Sequence, residues 1–554
     1  MMLFTRLQMK RQLQLLGFLL PLLFVLGCGD ASEDDTPPAE ETKYDLSYKG
    51  LSFYYQNKPS SEYKLTQLND AEFNALSEMQ QLQVADKLLS TLFFGLSEDK
   101  LEDAIASQQF VSQIRTGLNS DRTDKEWLEN YILDKDYFRQ NGYPQEAVDI
   151  LSRFYAMQEL DKYFLNNWTA YILTQTIMFS PAYELDSTHT PNISRVYNRL
   201  VNFFEDESGM RYTTYVHMMS EDNWRRFRSP EDNGREMMEI FLEDEDDTKV
   251  LLAGKALQNW KLNRDNDTLV VGRNENTDPL ELFGTIVYNG DDFYRAMVKT
   301  GTYQHTVTAR LVDFFFTDAT PLKKEQITST IVSSQPETFQ DILLQIIFSK
   351  EYLLYNSRVK SAEELFFSLA KKMSFKHRTS TFDYFRRGLD DMHQASMKYK
   401  LGKTQRVPLD TLSFASYHKY IRENMIMRKS EVKYADDYKS WSRQGWGERF
   451  VADSNFDYDA LDELASLDSL VQYLFKSLIQ RPATTEELTL FRSHMQRNYN
   501  GVLALDYSFD MFYTNDNNET KQLKYRESGK RNIAVIVMDY LSRLESFYMQ
   551  KEVK

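Results

Sequence analysis

Apolar residues recur every three or four positions along most of the chain, and strictly alternating runs are few. This spacing places apolar side chains on one face of a helix, so it predicts a mainly α fold. Residues 85–105, 309–331 and 470–491 each combine an apolar helix, a short polar break and a capped helix start. We therefore expect a large multi-helix domain with helix–turn–helix packing units and at most a small β-hairpin, formed by residues 268–271 and 285–288.

The most distinct pattern lies in the stretch that begins SPEDNGREMMEIF. Ser229 is a good N-cap and Pro230 suits the first helical position, so the stretch predicts a helix over residues 229–243. An acidic turn follows, and the next apolar positions predict a second helix over residues 248–258. Asn259 then occupies the place of a left-handed residue that ends a helix, a conformation that asparagine tolerates.

Four carboxylates of the first predicted helix fall on one stripe, because successive residues turn by about 100°. They are Asp232, Glu236, Glu239 and Glu243, and Arg235 can pair with Glu239 one turn later. The stripe is either a solvated face or a cluster that binds a cation or performs acid/base chemistry. The second interpretation needs another element that brings His, Asp or Arg opposite. Its candidate catalytic residues are Asp232, Arg235, Glu236 and Glu239.

Residues 1–27 have the anatomy of a bacterial secretory signal, with a basic start and an apolar stretch over residues 13–26. The stretch ends VLGC and resembles a lipobox, which implies cleavage before Cys28 and attachment of lipid to that residue. Cys28 is the only cysteine in the sequence, so no disulfide can form within the chain. Residues 28–44 are acidic and poor in apolar side chains, which predicts a disordered tether.

The chain beyond the tether is long enough for several domains or one large helical domain. We expect a main helical domain over residues 45–400 and a C-terminal helical subdomain over residues 401–554. The net charge of −16 argues against nucleic acid and anionic lipid surfaces as partners. No stretch after the signal has the roughly 18 apolar residues that a spanning helix needs.

Several blocks between about residues 84 and 375 resemble a large family of secreted bacterial proteins that is defined as a domain of unknown function. The sequence PEDNGREMMEIF at residues 230–241 is similar to the family's N-E-N-x-[AG]-R-E-[LVM]-[ML]-E-[LI]-[FH] helix. KALQNW at residues 255–260 stands where the family has an A-R-[AI]-[LF]-T-G-W motif. The resemblance implies a helical, secreted protein, and it implies no particular reaction.

Two further sets of residues are candidate binding sites. Trp441 and Trp446 lie in a glycine-containing loop and, with Trp260, are candidate binding residues, because exposed aromatic rings stack on sugars. The alternative is that these rings pack onto the helical body. An alternating run of oxygen ligands leaves open an atypical calcium site as against a solvated acidic loop. Its members are Asp453, Asn455, Asp457 and Asp459.

These observations favour a lipid-anchored protein of the cell envelope, at the outer membrane or cell surface. The first hypothesis is a binding, scaffold or accessory protein, held to the membrane by its lipid and facing a secreted protein or a glycan. The alternative is an envelope hydrolase that uses the Asp/Glu/Arg cluster of the helix over residues 229–243. The sequence leaves open whether the protein is an enzyme, and the cofactor is unknown unless it is calcium.

Overall fold

Helices dominate the structure, which is a computed structural model. It describes residues 42–43, 63–121, 143–157, 159–178, 193–227, 229–263, 268–373, 382, 385–389, 414–415, 417–418, 464, 466–498, 503–504, 511–514, 520–522, 534 and 537–553. About 67% of these residues are helical, so the predicted mainly α fold is confirmed.

The described helices of the first half of the chain precede the acidic turn or follow it directly. They are α1 (Asp70–Asn74), α2 (Glu78–Thr91), α3 (Glu98–Ala106), α4 (Phe110–Leu118), α5 (Tyr143–Ala156), α6 (Lys162–Thr176), α7 (Ile193–Glu205), α8 (Met210–Met218), α9 (Glu221–Arg226), α10 (Pro230–Leu242) and α11 (Asp247–Ala256).

The described helices of the second half continue the same architecture. They are α12 (Gly290–Lys299), α13 (Gly301–Phe315), α14 (Pro321–Ser333), α15 (Phe339–Ile347), α16 (Lys350–Leu353), α17 (Ala362–Lys372), α18 (Leu467–Ile479), α19 (Thr485–Asn498) and α20 (Glu545–Tyr548). The pairs α2 and α3, α13 and α14, and α18 and α19 are the three predicted helix–turn–helix units.

The strands are short and their pairings are antiparallel. They are β1 (Thr42–Lys43), β2 (Trp260–Asn263), β3 (Thr268–Val271), β4 (Leu280–Leu282), β5 (Thr285–Val287), β6 (Arg358–Val359), β7 (Leu503–Ala504), β8 (Met511–Thr514), β9 (Thr520–Gln522) and β10 (Met549–Gln550).

The predicted pairing of residues 268–271 with residues 285–288 is wrong. β3 pairs with β2, and β5 pairs with β4. Both of these pairings join strands that are close in sequence, which costs less loop-closure entropy than the longer connection. After β5, the Asn289 side chain accepts the backbone N–H of Asp292 and caps α12.

The α10–α11 hairpin matches its sequence prediction closely. The Ser229 side chain accepts the Asp232 N–H as the N-cap of α10. Asn259 has a φ of 63°, as predicted for the residue that follows the second helix. The two helices approach each other closely, because a Cβ added at Gly234 would lie 2.7 Å from the Cβ of Ala253. The stretch that carries the family resemblance is therefore a tightly packed helical hairpin.

The C-terminal elements join the same core as the N-terminal helices. β10 pairs with β6, and the Lys372 ammonium at the end of α17 donates to the Ser477 carbonyl of α18 at 2.7 Å. The predicted domain boundary near residue 400 lies outside the described residues, as do the signal over residues 1–27 and most of the tether. Within the described part of the chain, no helix combines the length and the apolar character needed to cross a membrane.

Candidate functional site

The carboxylate stripe of α10 lies at the surface. Asp232 is exposed, whereas Glu236 and Glu239 are half-buried. The Arg235 guanidinium pairs with Asp247 on α11 and not with Glu239 as expected, and its Nη1 lies 3.1 Å from Oδ1 of Asp247. This ion pair joins the two helices of the hairpin across the acidic turn.

Two further ion pairs hold the same turn. The Lys249 ammonium lies 2.5 Å from Asp244, and the Arg310 guanidinium of α13 lies 3.2 Å from Glu243. Glu243 itself has a φ of 53°, which reverses the chain at the end of α10. Exposed pairs of this kind contribute at most about 1 kcal/mol each. Their main effect is to hold the acidic turn in one arrangement beside α13.

The catalytic interpretation of the stripe needs a second element with His, Asp or Arg opposite the carboxylates. One such element is present, since Arg310 of α13 pairs with Glu243 of the stripe, whereas Arg235 of α10 itself pairs with Asp247. Among the residues that the structure describes, no group of three or more His, Cys, Asp or Glu side chains is placed to hold a metal ion. Asp232, Arg235, Glu236 and Glu239 therefore stay catalytic candidates by prediction alone.

The opposite face of α10 carries a buried polar contact that the sequence pattern did not reveal. The Tyr294 hydroxyl of α12 donates to Oδ1 of Asn233 at 2.6 Å, and both residues are fully buried. Asn233 lies beside the glycine of the family-like motif, on the face that packs inward. Asparagine is usually exposed, so its residue type does not predict burial. Only its position on the apolar face of the helix indicates that Asn233 is buried.

Trp260 lies in the core beside this contact and is only 1% exposed. Its ring packs against Trp224 at 6.2 Å and against Tyr294 at 5.8 Å between ring centroids, and its indole N–H donates to Glu275 at 2.9 Å. Gly290 fits against the ring edge, since an added Cβ would lie 2.5 Å from Cε2. Stacking on a sugar needs an accessible ring face, so this location favours packing as the role of Trp260.

Two buried N–H groups near Trp260 donate no hydrogen bond to a described residue. Neither Nε1 of Trp224 nor Nδ2 of Asn233 has a hydrogen-bond partner among the described residues, although both side chains are at most 1% exposed. Leaving such a group unpaired costs about 1–3 kcal/mol. Donors of this type bind carbonyl, hydroxyl or water oxygens. The buried side of α10 and the neighbouring α9 therefore each carry an N–H group that could donate a further hydrogen bond.

A second buried cluster surrounds β6 and β10. The Arg358 guanidinium pairs with both carboxylate oxygens of Glu364, and the Nη1–Oε2 distance is 2.8 Å. Arg358 also donates to the Tyr352 hydroxyl, which lies 3.0 Å from Oε1 of Gln550. The Gln550 side chain in turn donates to Thr91 at 3.2 Å. The network thus binds the C-terminal strand to the end of α2.

Buried lysines extend this network. Asp86 pairs with the ammonium groups of Lys360 and Lys372, and these cations keep the pKa of Asp86 below its usual value despite its burial. Lys87 donates to the Asn356 carbonyl at 2.5 Å. Burial, together with the nearby Arg358, lowers the pKa of Lys87 to about 7. Buried charges this closely paired favour one specific arrangement of the core more than they add to its stability.

The sequence contained one indirect signal of the Arg358 cluster. Ser361 and Glu364 have capping-box spacing, and the structure confirms the box. The same Glu364 carboxylate that accepts the Ser361 N–H at 2.7 Å also binds Arg358. Cap spacing predicts where a helix begins, but it does not predict that a buried arginine will share the carboxylate.

The remaining predicted site residues lie outside the described residues, so their proposed roles stay predictions from the sequence. They are the lipidation site Cys28, the binding candidates Trp441 and Trp446, and the calcium candidates Asp453, Asn455, Asp457 and Asp459.

Comparisons of the chain with protein-family models, with curated proteins and with solved structures give no significant match. The resemblance to the secreted bacterial family therefore stays a prediction from the motifs.

Proposed function

We propose that the protein is a lipid-anchored component of the cell envelope that acts by binding a partner. The observation that carries the anchoring is the sequence of residues 1–28, where a basic start and an apolar stretch lead to VLGC. Several acyl chains on one residue hold a soluble domain at a membrane far more firmly than one chain does. The acidic residues 28–44 would then keep the helical body away from the lipid surface.

The α10–α11 hairpin supports binding over catalysis. Asp232 and Glu243 are exposed beside a closely packed base, where Gly234 meets Ala253. Arg235 and Arg310 pair with residues at the hairpin's turn, which fixes the charged outer face in place. A fixed acidic surface suits electrostatic selection of a partner, which acts on specificity and on association rate. The partner classes proposed are a secreted protein or a glycan at the outer membrane or cell surface.

The anchoring is tested by metabolic labelling with a clickable palmitate analogue. We expect the native protein to take up label and to fractionate with membranes, and globomycin to cause the unprocessed form to accumulate. The Cys28→Ser variant should lose both the label and the membrane association. Equal labelling of the native protein and the Cys28→Ser variant would contradict the proposal.

The choice between binding and hydrolysis is tested with a Glu236→Gln/Glu239→Gln double variant. The double variant removes two of the four carboxylates of the stripe, both of them catalytic candidates, while keeping side-chain size. Its control is Glu337→Gln, which removes an exposed carboxylate elsewhere on the surface. The partner is measured by cross-linking in the envelope. If the protein acts by binding, the double variant should keep its fold, and it should lose its phenotype only where it also loses the cross-linked partner. A variant that keeps its partner but loses all phenotype would favour the hydrolase.

A further inference from the structure

A cluster of ionisable side chains lies where α3 meets α18. The Lys476 ammonium of α18 lies 3.5 Å from Oε1 of Glu98 and 3.5 Å from Oε1 of Glu102, so two glutamates share one lysine. The two glutamates differ in their surroundings, because the Glu98 side chain is 11% exposed and that of Glu102 is 51% exposed. Protonation of Glu98 should therefore affect the contact between α3 and α18 more than protonation of Glu102 does.

Two hydroxyls complete the surroundings of Glu98. Tyr473 and Ser477 lie one turn apart on α18, where the Ser477 hydroxyl interacts with the Glu98 carboxyl and the Tyr473 hydroxyl with the Glu98 backbone. Neither hydroxyl has a well-aligned hydrogen-bond partner among the described residues, and the same is true of Oε2 of Glu98. The Glu98 carboxyl therefore has the Ser477 hydroxyl nearby, but its buried Oε2 accepts no well-aligned hydrogen bond from a described residue. A proton on this oxygen removes the cost of burying the charge.

The titration of Glu98 follows from this geometry. The pKa of Glu98 is raised to about 7, with burial as the largest influence and the charge of Glu102 acting in the same direction. Lys476 and Ser477 act in the opposite direction but do not outweigh burial. Two further charges near this junction interact elsewhere. Lys372 reaches the Ser477 carbonyl but pairs with Asp86, and Ser97 keeps the pKa of Asp99 below its usual value.

We propose that Glu98 is a proton-responsive contact, through which acid strengthens the attachment of α18 and the C-terminal elements to the N-terminal helices. With Glu98 protonated, Lys476 pairs with Glu102 alone and no unpaired charge is buried. With Glu98 ionised, two carboxylates compete for one ammonium in a poorly hydrated place. Since α18 also contacts α20, which leads into β10, the effect reaches the segment that closes the core.

The sign follows from proton linkage. The pKa of Glu98 is higher in the folded protein than its ordinary value of 4.5, so the folded state holds a proton that the unfolded state has lost. The stabilisation is complete at pH values below about 4.5 and is lost as the pH rises through about 7. The affected contact should therefore open more often at neutral pH than in mild acid.

Hydrogen exchange of the α18 backbone amides in the full chain tests the proposal. Between about pH 5.5 and about pH 7.5, protection of α18 should fall on the order of tenfold, after correction for intrinsic exchange rates. Amides of α13 provide the internal reference. Glu98→Gln should abolish this dependence, because the amide is neutral at both pH values, and the matched Glu102→Gln variant should retain it.

The proposal is overturned if wild-type α18 shows no such dependence, or if Glu98→Gln retains it. A second variant covers the case in which Glu98→Gln does not fold. Lys476→Met removes the cation that opposes protonation, so the dependence should persist with its midpoint at higher pH. An unchanged midpoint in Lys476→Met would equally contradict the assignment to Glu98.

Discussion

Breaking the Arg358–Glu364 pair should strongly destabilise the protein. Replacing Arg358 with Met removes both contacts to the Glu364 carboxylate and the donor to the Tyr352 hydroxyl. The exposed fractions of the two charged side chains are 0% and 1%, so water cannot replace the lost cation. Removing one partner of a buried pair costs about 3–5 kcal/mol, because the remaining charge is left uncompensated.

A double-mutant cycle separates the pair from the other contacts of each residue. Glu364→Gln keeps the shape of the side chain and an oxygen that can accept the Ser361 N–H of the capping box. The Arg358→Met/Glu364→Gln variant carries neither charge, so it should lose less stability than the two single changes added together. The coupling energy should lie near the upper end of the range of about 0.5–3 kcal/mol seen for contacting residues.

The assay is urea unfolding followed by far-ultraviolet circular dichroism. A control substitution is Arg543→Met, since this arginine pairs with Asp539 on the surface and its side chain is 57% exposed. It should change the unfolding free energy by at most about 1 kcal/mol. The reasoning is refuted if Arg358→Met behaves like this control, or if the two single changes at the buried pair are simply additive.

Further predictions concern packing and pH. Gly234→Ala should lower the unfolding free energy by about 1–3 kcal/mol, because its Cβ would lie 2.7 Å from that of Ala253. Gly301→Ala, where an added Cβ meets nothing within 4 Å, should not destabilise the protein, and equal losses in both variants would contradict the packing argument. Burial lowers the pKa of Lys87 from 10.5 to about 7, so the unfolded chain binds a proton that the folded protein releases. Stability should therefore rise by roughly 1 kcal/mol per pH unit above about pH 7, and Lys87→Met should remove this contribution in urea titrations. Burial also lowers the pKa of His217 to about 3, so stability should fall as the pH drops below about 6.5, and His217→Gln should weaken that fall.

The sequence predicted local structure well where caps and periodicity agree. Ser229 and Pro230 begin α10 as expected, and Asn259 has the left-handed conformation expected of it. These features depend on neighbours in sequence, so their physical causes are visible in the chain itself. The predicted pairing of residues 268–271 with residues 285–288 was wrong, because β-propensity indicates where a strand forms but does not select its partner.

The candidate site was harder to predict because its contacts join distant segments. Nothing local indicates that Tyr294 will donate to Asn233, or that Gln550 at the C-terminal end will reach Thr91 at the end of α2. Charge patterning drew attention to the outer stripe of α10, whereas the hydrogen bonds lie on its inner face. A helical period shows which residues share a face, but it cannot show which polar group a buried side chain will meet.

Mass spectrometry of the protein extracted from the envelope of the cells that make it tests the proposed anchoring most directly. The account predicts a mature chain that begins at Cys28, with diacylglycerol on the sulfur and acylation of the new amino group. A chain that begins elsewhere, or a Cys28 without lipid, would contradict the proposal that this helical protein works at a membrane surface.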